Sequence, residues 1–176
     1  MRNVYGLAVL LAAAVTGLPA AAQAPGRKID VGGWTVADDR ETDASFVSCT
    51  AEYVWDDRSA ISLIKTLQYN AILLNQPTAR LVTERKYPVS IQVDTNAQIL
   101  AMAGAVDAAR AIIPIEDPAT MFAQISAGNT IWIQIDEIDY TISLKGSAAA
   151  LKALEACYTA GTRSYGKSNG KPSSRS

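Results

Sequence analysis

The chain has 176 residues, a formal net charge of −1, two cysteines and no histidine. The absence of histidine excludes Ser-His-Asp and Cys-His nucleophilic sites and almost every common zinc site. The sequence contains no glycine-rich dinucleotide motif and no phosphate-binding Gly-Lys-Ser/Thr loop. We therefore expect a protein that is not an enzyme, with no catalytic residue, no metal, no cofactor and no nucleic-acid partner.

Residues 1–24 have the composition of a signal peptide. Arg2 supplies a positive charge, residues 7–15 are apolar, and residues 22–24 (Ala-Gln-Ala) fit a small-x-small cleavage site. No apolar run reaches the roughly 18 residues that a membrane-spanning helix needs. The sequence predicts an exported protein, periplasmic or secreted, without a membrane span and with one globular domain over residues 25–161.

The first half of this domain contains short runs in which apolar and polar side chains alternate, a pattern typical of strands. These runs predict strands at residues 32–36, 46–55, 61–67, 70–74 and 89–93. Residues 25–30 are predicted as a loose lead-in and 38–44 as a polar loop, and the pair Asp56-Asp57 as a solvated turn. The alternation places on one face Val47, Cys49, Ala51, Tyr53 and Trp55.

Cys49 and Cys157 are the only cysteines of the chain. In an oxidising compartment, two cysteines in a small exported domain predict one disulfide. A reactive thiol or redox pair would need a nearby base or a Cys-x-x-Cys spacing, and the sequence has neither. We interpret the pair as a structural bridge between an early strand and the last helix.

Residues 97–115 fit two patterns. Ile99, Met102, Ala103 and Val106 have the spacing of a helix face, with Asn96 as a cap. A hairpin that turns at residues 104–107 fits as well, and the β-like segment 112–115 (Ile-Ile-Pro-Ile) tips the balance slightly toward it.

The closing block, residues 117–158, predicts a helix, a β-hairpin and a second helix. Asp117 is an N-cap acceptor, Pro118 occupies the first helical position, and Gly128-Asn129 ends the helix. Its apolar face contains Met121, Phe122 and Ile125. Gly146-Ser147 precedes the second helix, which we predict over residues 148–157.

The hairpin over residues 130–144 has a register that its alternation defines. Ile133 opposes Tyr140 whether the turn has two residues or four, and the buried face then contains Ile131, Ile133, Tyr140, Ile142 and Leu144. The turn lacks the glycine that tight hairpin turns prefer, so we expect the four-residue loop, 135–138.

Residues 162–176 are rich in Ser, Gly, Lys and Arg, a composition that predicts a disordered basic tail. A solubilising role is favoured over adhesion to an acidic partner, because spread charges bind weakly at physiological ionic strength.

Two further groups are candidates for binding. Asp136, Glu137 and Asp139 could hold a hard cation, but no EF-hand spacing is present and acidic turns are common, so we expect no metal. The tryptophans Trp132, Trp34 and Trp55 could mark a partner surface. Core positions are favoured for them, because large aromatic side chains are mostly buried.

Several segments resemble the invasion-associated locus B family of small secreted bacterial proteins. They are residues 34–36 (Trp-Thr-Val), 87–94, 121–128 and 140–154. The resemblance implies a non-enzymatic envelope or secreted protein, with a link to host-cell entry in some members. It supplies no binding residues.

The sequence as a whole predicts an α+β domain, a mostly antiparallel β-meander sheet with the helix–hairpin–helix block on one face. The predicted function is binding of an envelope component or a protein partner outside the cytoplasm, and no oligomeric state is predicted. An inhibitor or immunity-type protein against a hydrolase such as lysozyme is the alternative. A hydrolase that uses carboxylates alone is a third possibility, and it would need two facing acids in a cleft.

Overall fold

The computed structural model describes residues 27–40 and 45–168. The predicted signal peptide and the last eight residues of the predicted tail lie outside the described residues. The strands are β1 (Lys28–Val31), β2 (Trp34–Arg40), β3 (Phe46–Val54), β4 (Ala60–Thr66), β5 (Asn70–Asn75), β6 (Lys86–Val93), β7 (Ile99–Ala105), β8 (Arg110–Pro114), β9 (Thr130–Ile135) and β10 (Ile138–Ser143). The helices are α1 (Pro118–Ala127) and α2 (Ser147–Ser168).

The ten strands form one sheet in the order β1-β2-β3-β4-β5-β8-β7-β6-β9-β10. Every neighbouring pair is antiparallel. The predicted α+β class with a mostly antiparallel sheet is therefore confirmed. The chain runs as a simple meander through β5, after which the order β8-β7-β6 reverses the sequence order.

The sheet curls so far that its two ends meet. The turn between β1 and β2, Gly32-Gly33, reaches Gly146, which follows β10 at the opposite end of the strand order. Beside this contact the indole Nε1–H of Trp34 donates to the backbone oxygen of Lys145 at 3.1 Å. The concave side of the curled sheet therefore encloses the core.

The two helices help to close this core. Met121 and Ile125 of α1 are buried, as the sequence predicts, and Asp117 caps the helix by accepting the Thr120 N–H at 3.1 Å. Helix α2 packs on β2 and β3. The buried Ser147 hydroxyl at its start donates to the Ile125 oxygen at 2.7 Å and so ties α2 to α1.

Several predicted boundaries were wrong, including the start of β6, which is Lys86 and not Val89. Residues 28–30, predicted as a lead-in, belong to β1, because the Gly32-Gly33 turn folds them back on β2. Strand β2 continues to Arg40, into the predicted polar loop. Helix α2 continues to Ser168, so residues 162–168, predicted as disordered, are helical.

The alternation on β3 also breaks at one point. Asp39 pairs with Ser48 while the next residue, Arg40, pairs with Phe46, so Val47 is an extra residue in the ladder. Such a bulge shifts the faces of the strand by one position. Val47 is consequently exposed, contrary to the prediction, while Phe46 and Cys49 are both buried.

The hairpins agree better with the sequence. Residues 99–114 form the β7–β8 hairpin and not a helix. In β9–β10 the predicted pairs Ile133 with Tyr140 and Ile131 with Ile142 are confirmed. The expected four-residue loop was wrong, because Ile135 pairs with Ile138 and only Asp136 and Glu137 form the turn. Asp136 has φ +55°, a conformation that aspartate tolerates better than most residues. Contrary to the prediction that this block packs on one face, the β9–β10 hairpin belongs to the sheet itself and forms one end of it.

Cys49 and Cys157 form the predicted disulfide, with Cα atoms 6.1 Å apart. It joins the middle of β3 to α2 across a sequence separation of 108 residues. Within the described ranges, no helix is both long and apolar enough to cross a membrane.

Asp94 holds the end of β6 against the start of β9. Its carboxylate accepts the backbone N–H groups of Asn129 and Thr130, each at 2.9 Å, and its own N–H donates to the Thr130 oxygen at 2.9 Å. The hydrogen bonds from Asn129 and then Thr130 lower the pKa of Asp94 below its ordinary value of 3.8.

We expect Asp94→Asn to lower the melting temperature at pH 7, because the amide replaces one of the two acceptor oxygens by a donor. A group with a lowered folded pKa stabilises the protein above its unfolded pKa and loses this effect as pH falls through the folded value. The difference in melting temperature should therefore shrink below about pH 3.8, the unfolded value. Thermal unfolding of both proteins from pH 7 to pH 2 measures this difference. A difference that does not change with pH would contradict the stabilising role of the ionised Asp94 carboxylate.

Candidate binding surface at the free edge of the sheet

Among the described residues, strand β10 is the last strand of the sheet and pairs with a neighbour on one side only. The N–H of Leu144 donates to the Asn129 oxygen across the β9–β10 pair at 2.8 Å. Because hydrogen-bonded and non-bonded pairs alternate in an antiparallel ladder, Ile138, Tyr140 and Ile142 also bond to β9. The backbone groups of Asp139, Thr141 and Ser143 consequently point away from the sheet. The free edge thus offers three N–H and three C=O groups.

A cleft of about 450 Å³ separates this edge from the turn between β3 and β4 and from the end of β5. We call it the Trp55 cleft. It is lined by Trp55, Asp56, Asp57, Ser59, Ala60, Leu74, Asn75, Asp139, Tyr140, Thr141 and Ile142. Its walls are therefore partly aromatic and partly acidic.

The far wall of the Trp55 cleft is a well-bonded turn. The backbone N–H of Trp55 donates to the backbone oxygen of Ser59, and the backbone oxygen of Trp55 accepts the backbone N–H of Arg58, both at 2.9 Å. Asn75 donates to the Arg58 oxygen at 2.8 Å, which fixes the turn to β5. Hydrogen bonds from the Ser59 side chain and backbone lower the pKa of Asp57. This carboxyl group is therefore ionised at neutral pH.

The aromatic residues of this cleft extend a row that begins in the core. Tyr53 contacts Trp34 with ring centroids 5.6 Å apart in a tilted arrangement. It contacts Trp55 with centroids 5.0 Å apart in the edge-to-face arrangement that aromatic pairs favour. Trp55, at the end of the row, is half-buried. Tyr140 stands on the opposite wall, and burial raises the pKa of its hydroxyl group.

A second cleft, of about 330 Å³, lies on the outer face of β10. We call it the Trp132 cleft. It is lined by Ser90, Gln92, Gln98, Trp132, Ile133, Gln134, Asp139, Tyr140 and Thr141. Trp132, which is 41% exposed, is surrounded there mainly by amide and hydroxyl groups. The Gln92 amide donates to the Asn96 oxygen at 3.1 Å, and the Gln98 amide donates to the Ser90 hydroxyl.

The two clefts share residues 139–141 of the free edge strand. Successive side chains of a strand point to opposite faces of its sheet. A strand that paired with β10 would therefore direct alternate side chains toward the Trp55 cleft and the Trp132 cleft.

The chain shares its fold with a bacterial invasion associated protein. The crystal structure of invasion associated protein B from Bartonella henselae superposes with a TM-score of 0.52 at 21% sequence identity, over 76% of this chain and 99% of that one. The resemblance stated from the sequence is thus supported at the level of the fold. No protein-family model and no curated protein matches the sequence.

The three tryptophans have different environments. Trp34 is fully buried and hydrogen-bonded, so it belongs to the core and is not a surface candidate. Trp55 and Trp132 each line a cleft. For Trp132 the favoured core position was wrong, because β9 presents it on the outer face of the sheet, opposite Thr141.

The acidic residues of the hairpin separate in the structure. Asp139 lines both clefts, whereas Asp136 and Glu137 form the turn. In the part of the chain that the structure describes, no three His, Cys, Asp or Glu side chains are grouped closely enough to bind a metal. Asp56-Asp57, interpreted from the sequence as a solvated turn, line the Trp55 cleft.

Proposed function

We propose that this protein is an exported, non-enzymatic binding protein that holds an extended segment of a protein partner along the free edge of β10. The added segment would continue the sheet by bonding to the backbone of Asp139, Thr141 and Ser143. Such strand addition is a recurrent mode of peptide recognition, in which backbone bonds give affinity and side-chain pockets give specificity.

The pair of clefts on the two faces of one edge strand is the observation that carries this proposal. An edge strand alone is common, and proteins usually protect it from pairing with other chains. Here the free backbone groups lie beside two concave surfaces, and each surface has a partly exposed tryptophan. Exposed aromatic side chains in concave surfaces are frequent anchors of binding interfaces.

The remaining chemistry of the chain supports binding outside the cytoplasm. The sequence has no histidine, and both cysteines are joined in a disulfide. A disulfide persists in oxidising compartments, which agrees with export to the periplasm or the exterior. The fold shared with an invasion associated protein makes a virulence-associated role part of the proposal.

A displayed library of random twelve-residue peptides tests the proposal with three forms of the protein. Thr141→Pro removes an outward-facing N–H at an edge position, where proline is tolerated, and Thr141→Ala keeps that N–H as the matched control. We expect the selected peptides to bind the proline variant at least about tenfold more weakly than the alanine variant, which corresponds to about 1.4 kcal/mol.

Amide hydrogen exchange on the wild-type protein supplies a readout that does not depend on either variant. The N–H groups of Asp139, Thr141 and Ser143 should exchange more slowly when a selected peptide is bound. The proposal fails if no peptide is selected, if protection appears only elsewhere, or if sedimentation shows a wild-type dimer that Thr141→Pro dissociates and Thr141→Ala does not.

A further inference from the structure

The charge of the Trp55 cleft has one sign. Its lining includes Asp56, Asp57 and Asp139 and contains no lysine or arginine. Within the described residues, Asp56 and Asp139 take part in no ion pair. Arg58, the nearest cation along the chain, is exposed and does not line the cleft. These carboxylates are therefore available to a positive charge from another molecule.

The aromatic side chains of the cleft favour the same kind of ligand. Trp55 and Tyr140 stand on opposite walls, and a cation near the face of an aromatic ring is attracted by its quadrupole. A long basic side chain combines an apolar stem, which can lie against Trp55, Leu74 and Ile142, with a charged end that reaches the carboxylates. A short or acidic side chain lacks one of these two features.

The geometry of the edge strand defines which side chain enters. A segment paired with β10 presents every second side chain on the concave face, beside Tyr140 and Ile142, and the intervening ones on the outer face, beside Thr141. The outer face leads to the Trp132 cleft, where amide and hydroxyl groups predominate.

We propose that the Trp55 cleft receives a lysine or arginine side chain of the segment that pairs with β10, and that the cleft selects basic, extended peptides. This inference rests on the proposed function, since it concerns a side chain of the added strand. It makes the partner's recognised segment basic at the position that faces the concave side.

The peptide library separates this inference from the proposed function. Among peptides whose binding is weakened by Thr141→Pro, we expect lysine or arginine at one fixed position. Replacing that residue by glutamine in the most frequent peptide should raise its Kd at least about tenfold for the wild-type protein.

Single-charge variants assign the effect to the cleft. For Asp56→Asn, which removes a carboxylate that lines the Trp55 cleft and not the Trp132 cleft, the ratio of the two Kd values should fall to about threefold or less, a loss of about 0.7 kcal/mol or more of discrimination. Glu116→Gln removes an exposed carboxylate outside the cleft and should leave the ratio unchanged. Asp57 is kept in all variants, because its bonds to Ser59 hold the turn.

Edge-dependent peptides without a basic position, or a Kd ratio that Asp56→Asn does not lower, would overturn the basic-side-chain inference and leave strand addition intact. A library that yields no edge-dependent peptide overturns the proposed function itself. A ratio that also falls with Glu116→Gln shows attraction by overall charge and likewise overturns the assignment to this cleft.

Discussion

Replacing Gly146 with alanine is expected to lower the free energy of unfolding by at least about 3 kcal/mol. Gly146 has φ +84°, where a residue with a Cβ atom is strained by about 1–2 kcal/mol. The added Cβ would also lie 2.1 Å from the carbonyl oxygen of Gly32. Because that neighbour is backbone, no side-chain rotation relieves the overlap, and the two ends of the sheet must separate.

Gly104→Ala is the matched control for this substitution. Gly104 lies in β7, and a Cβ there would meet only the Ile112 side chain at 3.9 Å, an ordinary contact. This variant should be unchanged or more stable by up to about 1 kcal/mol, because alanine has less conformational freedom to lose on folding. Urea unfolding followed by tryptophan fluorescence measures both variants. Equal stabilities of the two variants would contradict the role of the Gly32–Gly146 contact in closing the sheet.

Local patterns predicted the parts of the fold whose residues are close in sequence. The alternation over residues 130–144 defined both the register and the buried face of the hairpin, because a strand's side chains have a period of two. Asp117 and Pro118 likewise marked the start of α1. In each case the physical cause acts within a few residues, so the sequence contains it.

One error has a non-local cause, and two others depend on backbone conformations that the sequence permits but does not require. The bulge at Val47 depends on how β3 pairs with β2, and nothing in residues 46–55 alone requires an extra residue. The lead-in becomes β1 because Gly32 and Gly33 both take positive φ values, which the sequence permits but does not require. The hairpin turn is tight although it lacks glycine, because Asp136 accepts a positive φ.

The candidate site could be predicted only in part. Alternation over residues 130–144 leaves Trp132 off the predicted buried face of the hairpin, but a general preference for buried aromatic side chains outweighed this pattern in the prediction. The Trp55 cleft joins residues 55–60, 74–75 and 139–142, and their proximity follows from the strand order and the curl of the sheet. No pattern within the sequence shows which strand ends the sheet, so the free edge of β10 required the structure.

Replacing both cysteines with alanine is expected to lower the free energy of unfolding by about 4–5 kcal/mol. The bridge closes a loop with a sequence separation of 108 residues, and the chain-entropy model assigns large stabilisation to loops of this length. Cys49 is fully buried beneath α2, so the bridge also holds the helix on β3. Losses of this size approach the whole stability of many domains.

Chemical unfolding with and without dithiothreitol distinguishes the bridge from the local effect of the substitutions. Reductant should destabilise the wild-type protein by nearly as much as the double substitution does, and it should leave the Cys49→Ala/Cys157→Ala variant unchanged. If the free energy of unfolding of the double variant lay within about 1 kcal/mol of the wild-type value, the loop argument would be contradicted. The chain-entropy model would then overstate how much the bridge constrains the unfolded chain. Because the disulfide forms only under oxidising conditions, the yield of folded wild-type protein should be higher in an oxidising compartment than in a reducing one. The yield of the Cys49→Ala/Cys157→Ala variant should not differ between the two compartments.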